Sequence, residues 1–72
     1  MTADEMLKKQ GYTLSREADG TFVYSGEAGD VIIITGNFVH FTDADEDYKF
    51  TAFSADILAV ARKLEELEAE NG

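Results

Sequence analysis

The sequence predicts an α+β fold: a short N-terminal helix, an antiparallel β-meander of four to five strands, and a longer C-terminal helix packed on the sheet. Three observations carry the prediction. Apolar residues recur near the helical period at both ends, alternate with period two between them, and the period breaks at glycine-bearing turns.

The first helix is set by Thr2-Ala3-Asp4-Glu5, a capping box in which Thr2 caps and Glu5 reaches back, with Met1 and Met6 placed as a hydrophobic staple. Lys8 and Lys9 suit the negative end of the helix dipole, and Gly11 supplies the left-handed residue that ends it. From Tyr12 the period becomes two. Tyr12 and Leu14 share a face, Asp19-Gly20 is a two-residue hairpin turn, and Phe22 and Tyr24 resume the alternation. A looser connection from Gly26 to Gly29 precedes Val31 to Thr35, whose unbroken β-branched run marks a central strand covered on at least one face. Gly36-Asn37 turns the chain into a fourth strand at Phe38-Val39-His40-Phe41. An acidic segment from Thr42 to Asp47 separates it from a fifth that can be drawn at Tyr48-Lys49-Phe50-Thr51-Ala52. Ser54 is placed as the N-cap of the last helix, with Phe53 and Leu58 as a second staple. Ile57, Val60, Ala61, Leu64 and Leu67 form its apolar stripe, expected to cover the sheet, with Arg62, Lys63, Glu65 and Glu66 outside it.

Length and composition bound the rest. A chain of 72 residues forms one domain, 1–72, of a size that buries roughly 60% of its unfolded surface. Hydrophobic residues are 44% and charged residues 29%, a balance that folds and does not stay disordered. Without cysteine there is no disulfide and no thiolate chemistry, so packing must hold the domain. The longest apolar run, Val31 to Ile34, is far too short to span a bilayer, and the N-terminus lacks the basic and apolar stretches of a signal peptide, which makes cytoplasm the expected compartment. Net charge is −9, and residues 37–72 hold most of it, with nine acids against three bases. Direct nucleic-acid binding is therefore disfavoured, because phosphate contacts need clustered cations. An acidic surface serves solubility or docks onto a basic partner.

The motifs for chemistry are weak. Asp43-Ala44-Asp45-Glu46-Asp47 begins like a calcium loop, but the sixth position is Tyr48 in place of glycine and the twelfth is Ser54 in place of glutamate. A solvated acidic turn, or a partner-facing one, is the better reading. His40 is the one histidine, the residue type suited to acid–base work near neutral pH, yet no nucleophile motif accompanies it, so it reads as a strand residue and no catalytic residue is assigned. The glycines show no phosphate-binding spacing, and no cofactor or metal is expected. The eight aromatic residues read chiefly as core, since base-stacking platforms sit in positive grooves, although an exposed tyrosine such as Tyr48 suits a protein interface.

The opening Met1-Thr2-Ala3-Asp4-Glu5-Met6-Leu7-Lys8-Lys9-Gln10-Gly11-Tyr12, the hairpins after it, and the closing Ile57-Leu58-Ala59-Val60-Ala61-Arg62-Lys63-Leu64-Glu65-Glu66-Leu67 resemble small uncharacterised proteins encoded by phages and prophages of Gram-positive bacteria. The similarity covers both ends and the order of elements, not the middle strands. It implies a phage-borne accessory protein without known catalytic residues. Small acidic phage proteins include inhibitors of host defence, among them DNA mimics and anti-CRISPR proteins that occupy a cationic channel. On that reading Asp43, Asp45, Glu46, Asp47, Tyr48, Glu65 and Glu66 would face a basic host protein, either nucleic-acid-binding or a nuclease. The alternative is a structural or oligomer-forming protein, monomer or homodimer, whose acidity serves solubility and whose C-terminal helix pairs with its copy.

Overall fold

The computed structural model describes residues 1–35, 38–43 and 52–71. The predicted Gly36-Asn37 turn, the core of the acidic segment and the fifth strand to Thr51 lie outside the described residues; Ala52, its last residue, is not in a strand. The element order is α1 (Ala3–Lys9), β1 (Tyr12–Ala18), β2 (Thr21–Gly26), β3 (Val31–Ile34), β4 (Val39–Thr42) and α2 (Ser54–Asn71). The four strands form one antiparallel sheet in the order β1-β2-β3-β4, and α2 packs on it with α1 alongside, an α+β arrangement as the sequence predicts.

Local chemistry explains the boundaries. The Thr2 backbone N–H donates to Glu5 Oε1 at 3.0 Å and the Glu5 N–H donates to Thr2 Oγ1 at 3.2 Å, closing the capping box. Gly11 leaves α1 at φ +90°, where a side chain would be strained. Asp19 and Gly20 both have positive φ, 51° and 79°, the two-residue geometry whose twist matches a hairpin.

Register decides which residues enter the core. Tyr24 pairs with Leu14 on one side and Ile32 on the other, and Phe22 pairs with Ile34, so these positions share one face. Tyr12, Phe22, Tyr24, Ile32 and Ile34 are buried there with Leu7, Ala59 and Val60 from the helices, and Leu14, Val39, Phe41 and Leu67 pack at the edge. The alternation of β3, half-buried then buried, fits a central strand covered on at least one face, with Ile32 and Ile34 turned to the helices.

Three features differ from the sequence reading. β1 carries a bulge between Leu14 and Arg16, with Ser15 as the additional residue; its Oγ donates to Val23 O at 3.1 Å and accepts from Ser25 Oγ at 2.9 Å. Beyond it the alternation is inverted: Arg16 joins Val23 on the opposite face, and Glu17 joins Phe22 on the helical side. The second difference is the rotation of α2. Its inner face carries Asp56, Ala59, Val60 and Leu67, with Lys63 half-buried among them, while Ile57, Ala61 and Leu64 of the expected stripe stand exposed. Lys63 explains part of the shift, since its stem lies inward and its Nζ sits 4.3 Å from the Phe22 ring centroid. Ser54 also opens the helix instead of capping it: the Phe53 carbonyl accepts from the Asp56 and Ile57 N–H groups, and Phe53 and Leu58 remain exposed.

Candidate functional site

The helical layer is held to the sheet by a polar lock. Tyr24 rises from the centre of β2 and its hydroxyl donates to Asp4 Oδ1 at 2.6 Å, reaching the first turn of α1. Lys63 of α2 lies 3.7 Å from the same oxygen, its side chain only 11% exposed. One carboxylate therefore joins α1, β2 and α2. Burial, and then the bond to Asp4, hold the Tyr24 phenol above its ordinary titration range. Glu5 moves the other way: the Thr2 backbone N–H and then the Thr2 hydroxyl hold its carboxyl below the usual value.

Around this lock the carboxylates fall into two kinds. Glu66 is engaged within the chain, its Oε2 accepting the Ala3 N–H at 2.9 Å and lying 3.5 Å from Arg62 Nε. Glu65 is exposed and forms a side-chain ion pair with Arg62 at 3.3 Å. Glu68 and Glu70 are exposed farther along α2. Asp43 is half-buried at the end of β4, whereas Asp45, Glu46, Asp47 and Tyr48 lie outside the described residues.

Asp56, which no motif singles out, is 3% exposed in the first turn of α2, where its charge complements the helix dipole. It lines a cleft of about 260 Å³ with Tyr12, Gly26, Glu27, Asp30 and Phe53. The signal that could have found it is the helical period itself, because Asp56 stands four residues before Val60 and three before Ala59, both buried.

His40 lies on the opposite face of the sheet, across from Ile33, with its ring edge-on to Phe38 at 4.7 Å between centroids. That separation removes it from the acids of the helical layer. Among the described residues no three His, Asp or Glu side chains stand close enough to hold a metal ion. Tyr12, Phe22 and Tyr24 are buried, and Phe41 packs against the core, so these rings are core and present no stacking platform; Phe38 and Phe53 are exposed.

No described helix is long and apolar enough to cross a membrane. Compared with protein-family models, curated proteins and solved structures, the chain matches none.

Proposed function

We propose that this chain is a non-enzymatic protein-binding module that docks onto a basic partner through its acid-rich helical side. The observation that carries the reading is the partition of charge. Glu65, Glu68 and Glu70 project from α2, while the cations beside them, Arg62 and Lys63, are engaged by Glu65, Glu66 and Asp4. Glu68 and Glu70, which pair with no described cation, thus keep a negative field of the sort a cationic cleft attracts. The resemblance to phage and prophage proteins supplies the partner class, a host nucleic-acid-binding or defence protein in the cytoplasm, inhibited in the manner of a DNA mimic or an anti-CRISPR protein. Asp43, Asp45, Glu46, Asp47 and Tyr48 are proposed, from their sequence, as further residues that meet the partner.

A second reading is favoured by the exposure of Ile57, Leu58 and Leu64: a structural protein whose acidity serves solubility and which self-associates through α2.

The test is retention of lysate proteins on the purified chain at low and high salt, followed by elution with duplex DNA. A nucleic-acid-binding protein that is released by salt and by DNA, and that is not retained when Asp43, Asp45, Glu46 and Asp47 become Asn, Asn, Gln and Asn, supports the proposal. Retention of no basic protein at either salt overturns it.

A further inference from the structure

We infer that the sheet face covered by neither described helix is a self-association surface, covered by a second copy of this chain stacked face to face. Val23, Val31 and Ile33 form its apolar centre, and Arg16, Val23, Ile33 and His40 line up as one cross-strand row. Ser15, Ser25 and Thr42 surround that centre with hydroxyls. Neither described helix covers this face, since both pack against the opposite one.

Charge selects the occupant. The chain carries −9, yet no described strand position on this face holds a carboxylate. Two copies repel wherever their acids meet, and approach most readily where neither brings one. The Ser15 bulge is what makes the face so, because it sends Glu17 to the helical side and Arg16 to the other. The competing apolar surface, Ile57, Leu58 and Leu64 on α2, is interspersed with exposed Glu65 and Glu68, so pairing two copies there sets like charges together. A basic partner is in turn poorly matched to a face whose one charged side chain among the described strand positions is Arg16.

Stacked sheets pack about 10 Å apart with strands some 30° from alignment. Four strands spaced about 4.8 Å apart and averaging about five residues give a footprint that buries on the order of 900 Å² over both copies, below the usual stable class. The dimer is accordingly weak and concentration-dependent, with the acidic helical layers on its two outer sides.

Sedimentation equilibrium of the full chain, from low micromolar to millimolar concentration and at two salt levels, tests this. The expected result is a monomer–dimer equilibrium that shifts toward dimer as salt screens the repulsion. Ile33→Glu weakens it by at least about tenfold, because a carboxylate then faces its own copy. Ser25→Glu, at the polar margin, gives the same direction should Ile33→Glu prevent folding, and Leu64→Glu on α2 leaves the equilibrium unchanged. A monomer at every concentration and salt overturns the inference. So does a dimer that survives both sheet substitutions or is lost with Leu64→Glu.

Discussion

Replacing Tyr24 by Phe removes one hydroxyl from the polar lock and leaves the ring, so it isolates the bond to Asp4. A hydrogen bond to a charged group contributes roughly 1.5–3 kcal/mol when both partners are buried. Here Tyr24 is 1% exposed but the Asp4 side chain is 55% exposed and shares its oxygen with Lys63. Solvent competes for that carboxylate, which lowers the expected cost to about 1 kcal/mol. For a domain of this size that corresponds to a fall in Tm of about 4–8 °C. The assay is a double-mutant cycle of Tyr24→Phe and Asp4→Ala by denaturant unfolding, with an expected coupling of about 1 kcal/mol. A second readout follows from the raised phenol. The folded chain holds this proton more tightly than the unfolded chain, so the contribution is complete below the ordinary value of 10.0 and is lost as pH rises above it. Tyr24→Phe should flatten the alkaline fall in stability. Additive single mutants, or an alkaline limb unchanged in Tyr24→Phe, would refute the lock.

Three further outcomes are expected. Val60→Ala, at a buried position, costs about 1.5–2.5 kcal/mol, whereas Ile57→Ala stays within about 0.5 kcal/mol of neutral because Ile57 is half exposed; thermal melts showing the reverse order would restore the stripe read from sequence. Deleting Ser15 removes the bulge and leaves every cross-strand pair in place, Leu14 against Tyr24 and Arg16 against Val23, so Tyr12 and Leu14 keep facing the core. Circular dichroism should show a folded chain with a cooperative melt, and an unfolded chain would contradict the register. The depressed Glu5 carboxyl contributes stability that is present above its ordinary value of 4.5 and is lost as pH falls through the lower folded value; Glu5→Gln should show a shallower acid limb by pH-dependent melts.

Much of the fold was legible because its signals are local. The capping box at Thr2 and Glu5, the left-handed Gly11 and the Asp19-Gly20 turn each involve residues within a few positions of one another, and the strands between them follow directly. What escaped depends on long-range contacts. Ile57, Ala61 and Leu64 give as good a helical stripe on paper as the face in use, because that face spends two of its positions on Asp56 and Lys63. Counting apolar residues cannot find a face on which a lysine stem packs against Phe22 and an acid fills the first turn. The bulge is likewise silent in sequence, as Leu14-Ser15-Arg16 contains no glycine to mark it. Of the acids picked out for partner contact, Glu65 is exposed as expected of an outer helical position, whereas Glu66, one residue on, turns inward to the N-terminus of α1.

That inward turn changes how the net charge should be read. Arg62 and Lys63 are the two cations of α2, and each is matched within the chain, by Glu65 and Glu66 in one case and Asp4 in the other. Glu66 and Asp4 are therefore committed to holding α1, and Glu65 to an exposed ion pair that water and salt weaken readily. Glu68 and Glu70 carry no such commitment to a described cation. Docking onto a basic partner through α2 would thus draw on Glu68 and Glu70 first, with Glu65 available after exchanging Arg62 for a cation of the partner. Neutralising Glu66 would instead loosen the joint between the helices, a change in stability and not in charge matching, which is how the two roles separate by measurement.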